Sequence, residues 1–462
     1  MSDRIGIALI GCGTVGGGVA KILHDHADRV AMRASKPLSI RRVVVRDPSK
    51  ARTVPLTNVS TELTSGWSDP DVQIVVELIG GTTTAKEVVL SSLAAGKHVV
   101  TANKALLAEH GAELFAAARK ANRVICFEAA VAGGVPIIRA LAESLSANQI
   151  TSIQAILNGT SNFILTAMAD RGSNYADALK EAQELGYAEA DPTLDVDGSD
   201  AAHKLAVLAQ IAFGVSPNPN QIERRGIDTI DALDVKFAGE LGYAIKLLAE
   251  AWASGRESTI GKVEGRKAAR KKAGEPRLAE SAMRDAPTVA LHVAPVMIRK
   301  TDMLAQVRGA FNAIQLVGDV VGETLFQGPG AGMMPTASAV VSDLIDIAVG
   351  RAQYTFSVAN LWNDGPPRYV VIPSEKVTSR FYLRLMVKDE PGVLADVCRA
   401  LADQEISISS MIQHESQEGI VGVVPLVIMT HNAITARFRA AIKTIDALPA
   451  MASPAVYYPV DD

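Results

Sequence analysis

The segment IGIALIGCGTVGGGVAKIL, residues 5–23, restricts the fold more than any other part of the chain. Ile5–Ile10 reads as a short buried strand, and the residues after the glycines read as a helix. Gly11, Gly13 and Gly16 therefore form G-x-G-x-x-G in a strand–turn–helix context, where the spacing has a physical meaning. The first glycine permits a tight turn, and the second lets backbone approach a pyrophosphate. The third lets helix and strand pack closely, while the helix start at Thr14 and Val15 faces the phosphates. A glycine-rich turn that holds no ligand is the bland alternative. An α/β fold with a Rossmann-like dinucleotide-binding domain is expected, with NAD or NADP as the ligand.

Further strand–turn–helix units follow. The second strand is expected over residues 40–47 and ends in Arg46-Asp47. An acidic residue there would bond a ribose 2′-hydroxyl, whereas Arg46 would meet a 2′-phosphate, so NAD and NADP both remain open. VQIVVELIGG leads to Thr82 and Thr83, and KHVVTANKALLA leads to Lys104. These residues fall at carboxyl ends of strands, where open α/β sheets bind ligands. The helix macrodipole disfavours a lysine at a helix start, so Lys104 stands out from surface lysines. In FEAAVAGGVPII, Pro136 suits a helix beginning.

The stretch ELGYAEADPTLDVDGSDAAHKL, residues 184–205, carries six carboxylates and one lysine, Lys204. DVDG suggests part of a calcium loop. Setting Gly198 at position 6 puts Lys204 at position 12, where a bidentate carboxylate is required, so that reading fails. A solvated turn, or a pocket that binds an ammonium group and moves a proton, remains. Ser199 is expected to cap the helix that follows, with Asp200 and Lys204 one turn apart on one face.

A chain of 462 residues exceeds one core, so two to four domains are expected. A net charge of −4 gives no global pull toward nucleic acid or a membrane surface. No apolar run has the length of a membrane span, and no secretory leader is evident. Three widely spaced cysteines, Cys12, Cys126 and Cys398, suit reduced cytoplasm.

Together GCGTVGGG, VELIGG, TANKALLA, FEAAVAGGVPII, LNGTSNFIL, the acid-rich stretch, FNAIQLVGDVVGETLFQGPGAG and PTASAVVSDL resemble the homoserine dehydrogenase family, in its order, over residues 5–346. The resemblance implies interconversion of L-homoserine and L-aspartate 4-semialdehyde with NAD or NADP. It implies that Glu189, Asp195 and Asp200 bind substrate, that Lys204 is the general acid, and that Lys104 positions substrate or polarises the carbonyl. It places Gly330 of GPGAG near the nicotinamide. It implies sodium at Glu128 and the backbone oxygens of Val131, Gly133 and Val135. It also implies a homodimer or homotetramer.

The expected division is a nucleotide domain at 1–135 closed by a helix near 335–350, an α+β catalytic and dimerisation domain at 136–350, a linker at 351–379, and a ferredoxin-like domain at 380–462. VKDEPGVLADV, residues 387–397, resembles ACT domains, which bind small amino acids, and threonine is the expected effector. A dimerising domain without ligand is the alternative. Residues 255–286 carry RKAARKK, five cations in seven residues, read as a solvated insertion rather than an anion or partner patch. An acylating aspartate-semialdehyde dehydrogenase would need a thiolate beside a base, and Cys126 lies in an apolar strand with no histidine motif. A nucleotide-sensing regulator would not need Glu189, Asp200 and Lys204 together.

Overall fold

The computed structural model describes residues 4–50, 52, 54–254, 287–362, 365, 368–413 and 422–461. The charged segment 255–286 lies outside them.

The first six strands are β1 (Ile5–Ile10), β2 (Leu38–Val44), β3 (Val59–Ser60), β4 (Ile74–Glu77), β5 (His98–Thr101) and β6 (Ile125–Cys126). They form one parallel sheet in the order β3-β2-β1-β4-β5-β6, with the strand order reversing at β1, the switch point of a dinucleotide-binding sheet. β1 and β4 are apolar throughout except Glu77 because helices cover both faces. The helix Met333–Ala348 returns from much later in the chain to pack on the helix Thr14–Asp25. A Cβ on Gly18 would stand 2.8 Å from the Met333 carbonyl oxygen, so only glycine permits this approach.

The second sheet comprises β7 (Ile150–Ile156), β8 (Glu223–Arg224), β9 (Tyr243–Ser254), β10 (Thr288–Arg299), β11 (Phe311–Gly318), β12 (Gly322–Pro329), β13 (Val370–Ile372), β14 (Thr378–Lys388), β15 (Ile408–Gln413), β16 (Val423–Thr430), β17 (Ala433–Ile434) and β18 (Val456–Asp461). Its main path runs β12-β11-β7-β9-β10-β18-β14-β16-β15. The strands β14, β15, β16 and β18, with helices Val393–Ala402 and Thr435–Asp446, make the βαββαβ ferredoxin-like unit.

That unit is not tethered loosely. β18 pairs with β10 at Met297–Ile298 and with β14, so one sheet runs through both parts. Asp234, on the helix Ala232–Glu240, is fully buried and takes a bidentate contact from Arg384 of β14 at 2.6 and 2.8 Å. The hydroxyl groups of Tyr382 and Tyr458 complete its shell. The stretch expected as a linker is also tied down. Arg351–Ala359 is helical, Trp362 inserts against Phe115 and Phe127, and β13 pairs with β10. Trp362 and Ile372 bury apolar area that the surrounding Pro and Gly residues concealed from the sequence pattern. Among the described residues no single helix is long and apolar enough to cross a membrane.

Candidate functional site

The glycine turn follows β1. Gly11 has φ +97, and a Cβ there would meet the Leu78 carbonyl oxygen at 2.5 Å. A Cβ on Gly16 would meet the Gly11 carbonyl oxygen at 2.2 Å, whereas one on Gly13 would meet nothing within 4 Å. Open space above Gly13 and an uncapped helix at Thr14, Val15 and Gly16 suit an approaching pyrophosphate. At the end of β2, Arg46 is exposed and bonds to no described residue. Asp47 is occupied by the amide and hydroxyl of Ser49. Arg52 donates to the carbonyls of Asp47, Pro48 and Lys50, and its Nε is buried without a partner.

Glu77 ends β4 fully buried. Its carboxylate accepts from the amides of Ile79 and Gly80 and from the Thr101 hydroxyl, which fixes the Gly80-Gly81 turn. Asn103 caps the helix Lys104–Lys120 by accepting from Leu106 N–H, and its amide donates to the Gly81 carbonyl at 2.7 Å. Thr82 precedes the neighbouring helix and makes no capping bond. These two loops set Lys104 at the rim of the first sheet.

The acid-rich stretch meets Lys104 there. Asp200 Oδ1 lies 3.1 Å from Lys104 Nζ, and Asp200 Oδ2 lies 2.7 Å from Lys204 Nζ. Lys204 Nζ also donates to the Leu157 carbonyl at 2.7 Å. Asn158 caps the helix Gly159–Arg171 through Oδ1, and its Nδ2 donates to Asp195 at 2.8 Å and Asp200 at 3.0 Å. Burial alone would raise the Asp200 carboxyl, but the charges of Lys204 and Lys104, with the Lys204 and Asn158 bonds, hold it well below the usual carboxylate range. Asp195 is raised by burial, opposed by Asn158. So one carboxylate sits between two lysines, and a second is more easily protonated beside it.

Glu189 is exposed, and its carboxylate makes no hydrogen bond or ion pair with a described residue. The other acids have local duties. Asp191 accepts from Thr193, and Glu184 lies 3.9 Å from Lys180. The expected Ser199 cap is corrected. Gly198, at φ +85, is the N-cap, and Ser199 is the first helical residue. Asp197 accepts both its N–H and its hydroxyl, because a carboxylate two residues upstream reaches that amide and a serine inside the helix does not.

The GPGAG turn, residues 328–332, packs against Asn312 and the loop after β6. A Cβ on Gly330 would fall 1.9 Å from Asn312 Oδ1, and one on Gly134 would fall 2.4 Å from the Pro329 carbonyl oxygen. The loop after β6 is therefore held against this turn, with Gly134 N–H donating to Pro329 O at 3.0 Å. In that loop the Glu128 carboxylate accepts from the amides of Ile138 and Arg139. Glu128 and Asp343 are both raised, first by burial, and share Arg139 with Asp346. Val131 and Gly133 are buried, and among the described residues no donor reaches their carbonyl oxygens, whereas Val135 O accepts from Ile137 N–H. Ala132, at φ +47, turns the chain between them. Among the described residues no group of three His, Cys, Asp or Glu is placed to hold a metal. Burial, then neighbouring carboxylates, push the Cys126 thiol well up, the opposite of an activated nucleophile.

Sequence reasoning missed Asn158, Asn103 and Glu77. The asparagines carried a signal, since each precedes a helix, but their second bonds are contacts through space.

Three family models match: homoserine dehydrogenase over residues 136–345, the homoserine dehydrogenase NAD-binding domain over 11–128, and the ACT domain over 381–450. The chain is 42% identical over 458 residues to a homoserine dehydrogenase from Neisseria gonorrhoeae, covering 97% of each chain. The crystal structure of a homoserine dehydrogenase from Thiobacillus denitrificans superposes with TM-score 0.85 at 40% identity, covering 99% of this chain and 98% of that one. A hyperthermophilic archaeal homoserine dehydrogenase in complex with NADPH matches at TM-score 0.57 and 26% identity, covering 75% of this chain and 98% of its own.

Proposed function

We propose a residue-level mechanism for this chain, which belongs to the homoserine dehydrogenase family and whose activity is the NAD(P)-dependent interconversion of L-homoserine and L-aspartate 4-semialdehyde. The observation that carries it is Asp200 held between Lys104 and Lys204. When bound, the nicotinamide supplies or accepts the hydride at the substrate's hydroxyl-bearing carbon. Lys204 Nζ gives its proton to the oxygen as the aldehyde is reduced, and takes it back in oxidation. Lys104 holds positive charge beside that oxygen. Asp200 aims both lysines, one from each carboxylate oxygen. The substrate ammonium then falls to Glu189, whose carboxylate is free, and to Asp195. Lys204→Ala should lower kcat by about 10²–10⁴ with little change in nucleotide affinity. Wild-type turnover in a folded variant would end the assignment.

Arg46, with the unpartnered Nε of Arg52, supports NADP(H) over NAD(H) through a 2′-phosphate. Arg46→Ala should then weaken NADP(H) selectively, and equal weakening of both nucleotides would refute this. Sodium would be held by the free carbonyls of Val131 and Gly133, with Val135 and Glu128, beside the buried Asp343 and Asp346, which are paired with Arg139 and Arg351. It would supply fixed positive charge in the loop facing GPGAG. The division of the chain is that stated from sequence, with the nucleotide domain at 1–135 closed by the returning helix. The enzyme works in threonine, methionine and isoleucine synthesis in the cytoplasm, as a homodimer or homotetramer. Threonine acts as effector through the ACT unit, whose helix Val393–Ala402 starts uncapped at Gly392.

A further inference from the structure

Asn312, near the start of β11, is 2% exposed, yet its Nδ2 is buried with no hydrogen-bond partner among the described residues. A buried donor left unpaired costs stability, so such an atom calls for a use at another stage of the protein's work. The amide lies between two glycines. A Cβ on Gly159 would stand 3.5 Å from Asn312 Oδ1 and 2.7 Å from the Ala310 carbonyl oxygen. Gly159 directly follows Asn158, which holds Asp195 and Asp200. On the other side Gly330 covers the amide, and a Cβ there would fall 2.5 Å from Nδ2. Nδ2 is therefore shut off from any ligand by the turn above it, and the turn itself is what it can reach.

The base under the amide is fixed. Asn162 Nδ2 donates to the Gly309 carbonyl at 2.8 Å and to the Val307 carbonyl at 3.2 Å. The buried Lys246 donates to Asn162 Oδ1 at 2.9 Å and to the Val307 carbonyl at 2.6 Å. Gly309 N–H donates to the Thr166 hydroxyl, and β11 then runs between β7 and β12. The turn has fewer ties. The β11–β12 ladder ends with Phe311 opposite Pro329, and the Pro329 carbonyl accepts from Gly134. Beyond it, the carbonyls of Gly330 and Ala331 accept from no described donor. Gly332, at φ +116, gives the chain a joint that a side chain would hinder. One N–H without an acceptor thus lies against a turn with two carbonyls that lack donors.

We propose that Asn312 is a positioning residue for hydride transfer, its Nδ2–H donated to the Gly330 or Ala331 carbonyl only when nucleotide and substrate are both bound. Ligands pressing on the open side of the turn favour the placement in which this bond forms, and the bond then holds the turn against them. The rigid base keeps Asn312 and the Gly159 helix start in place while the turn shifts. Without ligands the donor stays unspent, which trades stability for a bond made during turnover. The inference rests on the homoserine dehydrogenase mechanism above.

The test pairs one variant with one structure, both on the full-length enzyme. Asn312→Leu keeps the branched shape and removes the donor. Its Tm should equal or exceed that of wild type, because no bond is lost in the free enzyme. Its kcat/KM for homoserine should fall about tenfold or more, and its affinity for nucleotide alone should change less than about threefold. A crystal structure of the wild type with NADPH and L-homoserine, a pair that cannot react, should place Nδ2 within about 3.5 Å of the Gly330 or Ala331 carbonyl oxygen. A parallel fall in Tm and turnover makes Asn312 structural and overturns the proposal, as does unchanged kcat/KM or a greater distance in the complex. Should Asn312→Leu fail to fold, the complex decides. Absent homoserine oxidation by the wild type would sink the mechanism, whereas normal oxidation without this bond sinks only the present inference.

Discussion

Replacing Asp200 by asparagine tests the centre of the mechanism, because it keeps the shape and removes the charge that both lysines share. Coulomb's law at an effective dielectric near 20 gives roughly 6 kcal/mol for the 2.7 Å contact to Lys204 and roughly 5 for the 3.1 Å contact to Lys104. Lys104 is 37% exposed, so solvent reduces its share to about 1 kcal/mol or less. A neutral amide at this position also costs less to bury than a carboxylate, which offsets part of the Lys204 share. A net of about 2–3 kcal/mol remains, and its loss should lower kcat for aldehyde reduction about a hundredfold. The assay is kcat for aldehyde reduction, with nucleotide affinity measured alongside. A kcat within about threefold of wild type would refute Asp200 as the group that aims the two lysines.

Asn158→Ala removes a helix cap and the amide that aligns two acids, so it should cost about 1 kcal/mol in stability and lower kcat about tenfold, read by melting and initial rates. Gly330→Ala should raise the KM for homoserine and lower Tm, because its Cβ needs the space of the Asn312 amide. Asp234→Ala strands the buried Arg384 guanidinium and should destabilise by about 3–5 kcal/mol in denaturant titration. Asp461 is pushed up to about 7, first by burial and then by Glu250. The folded form therefore holds a proton that the unfolded chain releases near pH 4, and this stabilisation is full below about pH 4 and lost as pH rises through about 7. Asp461→Asn should flatten Tm against pH across that window.

The nucleotide sheet was legible because its evidence is local. Periodicity, three glycines at fixed spacing and strand-end positions all lie within short windows. The βαββαβ order was legible for the same reason. What the sequence concealed was attachment. Nothing in VYYPVD says that this strand pairs with both β14 and β10. Nothing near Asp234 announces Arg384, 150 residues away in the chain. Pairing across such separations is decided by which apolar faces remain uncovered once local elements exist, and a single sequence does not display that.

The acid-rich stretch shows the same division at the scale of one loop. Six carboxylates looked alike as a pattern, yet each has a different electrostatic fate. Asp191 and Asp197 are used on amides and hydroxyls two residues downstream, and Glu184 lies within reach of a lysine one turn back. Asp200 is committed to two lysines from separate elements. Asp195 is buried against Asn158 and raised. Of the six, only Glu189 keeps an exposed carboxylate without a described partner. A substrate ammonium must displace whatever already bonds the acid that receives it. On the proposed mechanism Glu189 is the acceptor with least to displace, and Asp195 is the second because a charge brought beside it favours its ionised form, while Asp200 has the most bonds to give up. Charge density along the sequence marked the loop, and the order of use within it follows from which oxygens the fold leaves empty.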